Sequence, residues 1–194
     1  MADRALMMSL PLALLEAMRP KQWAKNVLLF VGLVFALKLG DPSSVARAVA
    51  AFAVFCAVSS AAYLFNDLAD LEQDRQHPRK RRRPLASGRI RSAHAVGLGW
   101  TLLLGGVLLA FLLSIRFGLL TLFYVLLNVA YNAGLKHVVL VDVFALAAFF
   151  VIRVVAGAVA IDVPISPWLY LCTILGALFL GLAKRRHELL LLGD

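Results

Sequence analysis

The run VLVDVFALAAFFVIRVVAGAVA, from Val139 to Ala160, holds only two charged side chains in 22 residues. At about 1.5 Å of rise per residue, a helix of this length reaches about 33 Å, enough to cross the roughly 30 Å hydrocarbon core of a bilayer. Its apolar residues follow one another without the strict alternation that strands of a membrane barrel show. The run therefore predicts a transmembrane helix.

Five more long and nearly uncharged runs occur along the chain. The composition agrees, with 62% hydrophobic residues, 16% charged residues and a mean hydropathy of +0.85. Such a chain cannot surround an ordinary core with a water-soluble surface. We expect an all-α integral membrane protein with six transmembrane helices, approximately Trp23 to Leu39, Ala46 to Phe65, Ala93 to Leu113, Phe117 to Tyr131, Val139 to Ala160 and Pro167 to Ala183.

The whole chain is expected to form a single transmembrane domain. Residues 1–22 should form an interfacial helix, since the stretch from Leu6 to Met18 is short and partly amphipathic. Residues 66–92 should form a cytosolic, catalytic loop rich in Asp and Arg, and residues 184–194 should begin a second cytosolic loop. Cys56 and Cys172 lie inside apolar runs and are interpreted as small hydrophobic residues rather than as a disulfide or a metal pair.

The distribution of Lys and Arg predicts the orientation. With the N-terminus in the cytosol, 16 basic residues lie inside, and only Lys38, Arg47 and Arg116 lie outside, with Arg153 in the membrane. This is the positive-inside pattern, so we expect a multi-pass protein of the inner (plasma) membrane. The net charge of +9 then has a topological origin, and we expect membrane lipids but no nucleic acid as partners.

The stretch NDLADLEQD, from Asn66 to Asp74, places carboxylates at the cytosolic end of an apolar run. On a helix, Asp67, Asp70 and Asp74 fall on one face. A magnesium ion would explain this placement, because it is usually held by one or two carboxylates together with substrate phosphates, and Asn66 could add a neutral oxygen.

A strongly basic segment follows this stretch. Lys80 and Arg83 are candidates for phosphate oxygens, while Arg81 and Arg82 are interpreted as positive-inside residues. The alternative is a solvated loop whose acids pair with neighbouring bases and whose arginines bind anionic lipid headgroups.

Arg153 lies near the middle of the fifth predicted span and must face the interior of the bundle. A contact with donor or lipid phosphate and a structural bond between helices remain equally open for it. Asp142, just inside the same span, shares its face but stands about 16 Å away.

The motif NDxxDxxxD, followed by a basic segment and RPLASG, resembles the signature of the UbiA-type superfamily of intramembrane prenyl-group transferases. The resemblance implies that Asp67, Asp70 and Asp74, with Asn66, hold Mg²⁺ that binds the pyrophosphate of the donor. It also implies a bundle of about nine helices. Tyr131, Lys136 and Asp142 resemble the family's cytosolic loop between the fourth and fifth helices.

The segment RPKQWAKN, from Arg19 to Asn26, resembles the branch of this superfamily that transfers phosphoribosyl groups to decaprenyl phosphate. The basic segment at Lys184, with Glu188, replaces the second acidic motif of many members and agrees with that branch. The branch implies phosphoribosyl pyrophosphate as donor, a polyprenyl phosphate as acceptor and a role in cell-wall arabinan synthesis. Substrate contacts are then expected from Lys21, Lys25, Asn66, Lys80, Arg83, Tyr131, Lys136, Asp142, Arg153, Lys184 and Glu188.

Two other functions stay open at this stage. A prenyltransferase acting on an aromatic or quinone precursor would share the first Asp motif, and a transporter or scaffold would use Arg153 and Asp142 in a pathway. Compared with about nine helices, the chain is expected to be truncated at its C-terminus, with weak or absent activity alone.

Overall fold

The computed structural model describes the backbone of residues 2–135 and 138–192, and the side chains of residues 10–135, 138, 140–183 and 186. Within these ranges the chain is helical and contains no strand, as the hydropathy pattern predicts. The helices, in chain order, are α1 (Ala2–Ala17), a 3₁₀ helix (Pro20–Phe30), α2 (Val31–Phe35), α3 (Pro42–Ala69), α4 (Leu71–Gln76), a 3₁₀ turn (Lys80–Arg82), α5 (Ser92–Leu113), α6 (Ile115–Ala133), α7 (Val139–Ala160) and α8 (Pro167–Leu192).

Among the described residues, four helices are long and apolar enough to cross a membrane: Pro42–Ala69, Ser92–Leu113, Ile115–Ala133 and Leu140–Ala160. They coincide with the second to fifth predicted spans, and they support an integral membrane protein. The sixth predicted span lies in α8, whose described apolar part, Pro167–Ala183, is shorter. Residues 184–192, expected to begin a loop, continue α8.

The first predicted span is not a regular α-helix. Residues Pro20–Phe30 form a 3₁₀ helix of 11 residues, followed by the 5 residues of α2. A 3₁₀ helix rises about 2.0 Å per residue, so these 16 residues together reach about 30 Å. The tighter winding gives this segment the length of a membrane span with fewer residues than an α-helix needs.

Local side chains fix where two of the spans begin. Asp41 precedes Pro42 and accepts hydrogen bonds from the Ser43 amide (3.2 Å) and the Ser44 hydroxyl (2.6 Å). At α6, the Ser114 hydroxyl accepts a hydrogen bond from the Phe117 amide at 3.1 Å. Asp and Ser are preferred at these positions because their oxygens satisfy amides that have no partner inside the helix.

The internal contacts divide the chain into two units. The first unit comprises Met1–Ala24 and Val54–Leu109, and the second comprises Lys25–Ala53 and Ala110–Asp194. The boundaries fall inside the 3₁₀ helix, α3 and α5. Each unit has its own packing.

In the first unit, a small apolar core packs around the end of α3 that is predicted to face the cytosol. Its buried members come from α1, α3, the turn before α5, and α5: Ala13, Ala17, Leu64, Leu85, Ile90 and Ala95. Phe65 contacts Trp100 edge to face, with ring centroids 5.3 Å apart. These contacts position the acidic end of α3 relative to α1 and to the turn after residue 83.

In the second unit, glycine allows α7 to approach the 3₁₀ helix closely. A Cβ atom added to Gly157 would overlap the backbone carbonyl of Leu29, and one added to Gly32 would lie 3.0 Å from the Cα of Ala158. Leu29 is fully buried at this contact. Small residues at such crossings permit backbone approach in membrane proteins.

The substitution Gly157→Ala should destabilise the protein by about 1–3 kcal/mol, because the added methyl group meets rigid backbone. The measurement is thermal unfolding of the purified protein in detergent. Gly176→Ala in α8, where a Cβ meets nothing within 4 Å, is the control and should leave the unfolding temperature equal or higher. Equal stability of the Gly157→Ala variant and the wild type would contradict the packing described here.

Candidate functional site

The carboxylates of the motif lie where α3 ends and α4 begins. Asp67 is in the last turn of α3 and Asp74 is in α4, with Asp70 at the junction. Backbone hydrogen bonds from Asp70 to Asn66 (2.9 Å) and from Asp74 to Asp70 (2.8 Å) continue the helical spacing across this junction. Asp67 and Asp74 therefore point to the same side, and both are buried, at 4% and 1% exposure.

Three cationic side chains surround these two carboxylates. Arg83 Nη1 donates to Asp67 Oδ1 at 3.1 Å and to Asp74 Oδ2 at 2.5 Å, so a single guanidinium nitrogen bridges both acids. Arg19 Nη2 donates to Asp67 Oδ1 at 2.5 Å, and Lys80 Nζ lies 3.8 Å from Asp74 Oδ1. We call these five residues, Asp67, Asp74, Arg19, Lys80 and Arg83, the acidic cluster.

Asp70 does not join the acidic cluster. Its Oδ2 atom accepts a hydrogen bond from Asn66 Nδ2 at 3.1 Å, and its side chain is half-buried. Asp70 lies at the junction between α3, which ends at Ala69, and α4, which begins at Leu71, and its described hydrogen-bond partner is Asn66 rather than a cation. Within the described part of the chain, no three His, Cys, Asp or Glu residues converge on one point.

One carboxylate oxygen of the acidic cluster lacks a hydrogen bond. Asp74 Oδ1 is buried and has no hydrogen-bond partner among the described residues, because Lys80 at 3.8 Å is within ion-pair range but beyond hydrogen-bond distance. Buried carboxylate oxygens are ordinarily paired, since an unsatisfied one is costly. This oxygen is therefore available to a further ligand.

The RPLASG segment explains how Arg83 reaches both acids. Pro84 accepts hydrogen bonds from the Ile90 amide (3.2 Å) and the Ser87 hydroxyl (3.3 Å), which closes a tight turn. Gly88 takes a positive φ of 78° there, a conformation that glycine adopts without strain. Leu85 and Ile90 anchor the turn in the apolar core of the first unit.

Arg19 is the member of the acidic cluster that the sequence analysis did not place among the site residues. It has a positive φ of 56°, and its guanidinium lies over the Tyr63 ring at 4.8 Å from the centroid. Ser60 supports the same turn, because its hydroxyl donates to the Met18 carbonyl and accepts from Trp23 Nε1, both at 3.0 Å. Its position in the RPKQW segment, on the predicted side of the acids, is the only sequence signal for it.

In the second unit, Arg153 binds neutral groups from three helical segments. Its Nε donates to Asn26 Oδ1 (2.8 Å), its Nη2 to the Tyr124 hydroxyl (2.8 Å) and its Nη1 to the Phe149 carbonyl (2.6 Å). Among the described side chains, its hydrogen-bond partners are neutral, and Arg153 is 5% exposed. Of the two alternatives, the structure contains the bond between helices.

Tyr131 and Asp142, predicted together, do meet. The Tyr131 hydroxyl donates to Asp142 Oδ1 at 2.7 Å, and Asp142 is 4% exposed. The Phe149 ring contacts both Tyr131 and Tyr124 edge to face, at centroid distances of 5.7 and 5.5 Å. This aromatic contact lies beside the hydrogen bonds of Arg153.

The remaining predicted site residues are Lys21, Lys25, Lys136, Lys184 and Glu188. Lys21 and Lys25 lie in the 3₁₀ helix and are exposed. Lys136 lies outside the described residues. Lys184 and Glu188 lie in α8, and their side chains are outside the described part.

An exposed ion pair ties α1 to the turn after Arg83. Arg89 Nη1 and Nη2 donate to the two Glu16 oxygens at 2.7 and 2.9 Å. These hydrogen bonds lower the pKa of Glu16 below its ordinary value of 4.5. They likewise raise the pKa of Arg89.

Comparison with known proteins gives matches over most of the chain. The model of the UbiA prenyltransferase family matches residues 27–187. The chain is 38% identical over 180 residues to decaprenyl-phosphate phosphoribosyltransferase of Mycolicibacterium smegmatis, covering 91% of this chain and 57% of that protein. It is 40% identical over 182 residues to the protein of the same name from Mycobacterium tuberculosis, covering 90% and 59%. The chain thus spans less than six-tenths of the length of these relatives.

A solved structure has the same fold. A structure described in work on digeranylgeranylglyceryl phosphate synthase in membranes aligns with a TM-score of 0.73 over 88% of this chain and 60% of that one. The sequences are 21% identical in this alignment, so the likeness concerns the fold alone.

Replacing Arg83 should destabilise the protein, because two buried carboxylates lose their shared partner. For Arg83→Gln we expect a loss of about 3 kcal/mol, near the lower end for breaking a buried ion pair, since Arg19 and Lys80 remain. Arg81→Gln, at an exposed position in the same segment, is the matched control. Thermal unfolding in detergent measures both, and equal values for the two variants would show that the bridge contributes nothing.

Acidification should release α1 from the turn after Arg83. Because the folded pKa of Glu16 is lowered, its ion pair stabilises the protein above the ordinary pKa of 4.5 and is lost as the pH falls through the lowered value. Amide hydrogen exchange at the end of α1, corrected for the intrinsic pH dependence, should show lower protection at pH 3 than at pH 7. Glu16→Gln should remove this difference, and a difference that persists in that variant would assign it to another group.

Proposed function

Because the chain belongs to the UbiA prenyltransferase family, we propose that it transfers the phosphoribosyl group from phosphoribosyl pyrophosphate to a polyprenyl phosphate. The observation that carries this proposal is the acidic cluster, where two buried carboxylates and three cations lie at the end of an apolar helix. Such a mixture suits a diphosphate and its metal ion together. The relatives at 38% and 40% identity are named as phosphoribosyltransferases of decaprenyl phosphate, which supports this choice of transfer. The product of the proposed reaction would supply cell-wall arabinan synthesis.

The proposed topology has six spans with the N-terminus in the cytosol. The first span is the 3₁₀ helix with α2, and the last is the apolar part of α8. The excess of Lys and Arg on one side supports this orientation. It places the acidic cluster on the cytosolic side of the plasma membrane, where a water-soluble, highly charged donor is accessible.

Magnesium is the proposed cofactor, and the residues present fit it in part. Asp67 and Asp74 converge, and Asp74 Oδ1 has no hydrogen-bond partner among the described residues. Two carboxylates with substrate phosphates are a usual ligand set for Mg²⁺, and Asn66 and Asp70, which are hydrogen-bonded to each other, remain proposed as further oxygen ligands. When bound, the ion supplies positive charge to the leaving diphosphate.

The cations of the acidic cluster have two proposed roles. Arg83 and Lys80 lie within reach of the carboxylates and are partly exposed, so their donors can also bind the donor phosphates. Arg19 holds Asp67 and, through its contact with Tyr63, keeps that carboxylate oriented. Once the donor is bound, charges held in this way act where charge develops in the transition state.

In the proposed reaction, an oxygen of the lipid phosphate attacks the anomeric carbon of ribose. A carbon–oxygen bond to the lipid phosphate forms, the bond to pyrophosphate breaks with inversion, and the electron pair leaves with pyrophosphate. The acceptor is already ionised, so no general base is needed. The isoprenoid tail would lie along apolar spans, and Lys21, Lys25, Tyr131, Lys136, Asp142, Arg153, Lys184 and Glu188 remain proposed substrate contacts.

The test is transfer of labelled ribose phosphate into lipid. Membranes containing the full chain, supplied with phosphoribosyl pyrophosphate labelled in the ribose, decaprenyl phosphate and Mg²⁺, should yield label that extracts into organic solvent. Asp67→Asn and Asp74→Asn should lower this rate about 100-fold or more, because charge stabilisation of the leaving group is lost.

Glu72→Gln is the matched control, since Glu72 lies in the same segment but is exposed and pairs with Arg75. It should retain the rate of the unaltered chain. Unchanged transfer in the Asp67→Asn and Asp74→Asn variants would exclude the acidic cluster from the reaction. Consumption of an isoprenyl diphosphate with an aromatic acceptor, and no labelled lipid, would favour the prenyltransferase alternative.

A further inference from the structure

The carboxylates of the acidic cluster are already more than neutralised without a metal ion. Asp67 and Asp74 contribute two negative charges, and Arg19, Lys80 and Arg83 contribute three positive charges within 4.0 Å of them. Adding a divalent cation would raise the net charge from +1 to +3 in a partly buried site, which costs free energy. Adding the cation with a diphosphate would not.

Arg83 also occupies the space that a shared metal ion would need. Its Nη1 atom lies 3.1 Å from Asp67 Oδ1 and 2.5 Å from Asp74 Oδ2, at the point where the two acids converge. A Mg²⁺ ion ligated by these same two oxygens would lie about 2.1 Å from each, in the same place. The guanidinium and the metal ion cannot both bridge this pair of oxygens.

Arg83 has the freedom to leave this place. Its side chain is 27% exposed, whereas those of Asp67 and Asp74 are 5% and 2% exposed. Its backbone is fixed by the Pro84–Ile90 turn, so the side chain can move while its attachment point stays. The planar guanidinium binds phosphate oxygens in the same bidentate manner as it binds carboxylates.

We propose that Arg83 makes metal binding conditional on a diphosphate. In the free protein its guanidinium bridges Asp67 and Asp74 and keeps divalent cations out. When a diphosphate arrives, the guanidinium binds the phosphate oxygens, and the two carboxylates become ligands of the accompanying cation. The inference rests on the proposed use of a diphosphate donor, and it assigns Arg83 a positioning role in addition to phosphate binding.

The experiment measures the binding of two probes to the protein. Mn²⁺ is the probe of the metal site, and inorganic pyrophosphate is the probe of the diphosphate site. The full chain in detergent micelles is titrated with Mn²⁺, and free Mn²⁺ is followed by electron paramagnetic resonance, against protein-free samples of the same composition. The wild type should bind Mn²⁺ at least 10-fold more tightly with pyrophosphate than without it.

Arg83→Gln should change the two affinities in opposite directions. Without pyrophosphate it should bind Mn²⁺ about 10-fold more tightly than the wild type, because the competing cation is gone. With Mn²⁺ present it should bind labelled pyrophosphate more weakly, because a phosphate ligand is gone. A merely structural loss would weaken both, and Arg81→Gln should change neither.

The wild-type titration keeps the proposal testable even where Arg83→Gln folds poorly. Equal Mn²⁺ affinity of the wild type with and without pyrophosphate would overturn the proposal, and so would unchanged or weaker Mn²⁺ binding by folded Arg83→Gln. Arg83→Lys should restore part of the pyrophosphate affinity. The binding experiment uses no ribose and no polyprenyl phosphate, so its result is independent of the transfer assay. Pyrophosphate-dependent Mn²⁺ binding together with no ribose transfer would reject only the proposed reaction.

Discussion

Two carboxylates buried at the end of a membrane helix are the constraint on which the first unit depends. Asp67 and Asp74 are almost inaccessible, and each would be costly without a compensating charge. The turn that follows residue 83 positions Arg83 beside both carboxylates. Arg19, which follows α1 and has a positive φ, contacts Asp67. The apolar core made by α1, the turn and α5 holds these two arginines in place. The local fold thus holds the charged side chains of the acidic cluster in contact with one another.

Features that follow from the bilayer were predictable from the sequence. The second to fifth spans, the absence of strands in the described part and the acidic end of α3 all follow from long apolar runs and from the cost of isolated charge in lipid. The convergence of Asp67 and Asp74 follows from their spacing of seven residues. These are properties of composition and period, which a sequence contains directly.

Features that depend on a backbone break or on a distant partner were not predictable. Asp70 lies at the junction of α3 and α4 and pairs with Asn66, a choice of partner that its spacing from Asp67 and Asp74 does not reveal. Arg19, which contacts Asp67, has a positive φ that its residue type does not predict. Two neutral partners of Arg153, Tyr124 and Asn26, precede it by 29 and 127 positions, a separation that no local sequence pattern reveals. Tertiary structure decides these cases.

The 3₁₀ helix alters how the RPKQWAKN segment should be interpreted. With three residues per turn, every third side chain lies in one straight row, and Trp23, Asn26 and Leu29 form such a row. Trp23 donates to Ser60, Asn26 accepts from Arg153, and Leu29 is buried against Gly157. In an α-helix, at about 100° per residue, the same three positions would span an arc of about 120°. A one-residue insertion in this segment would rotate the positions that follow it by a third of a turn and so remove them from the row.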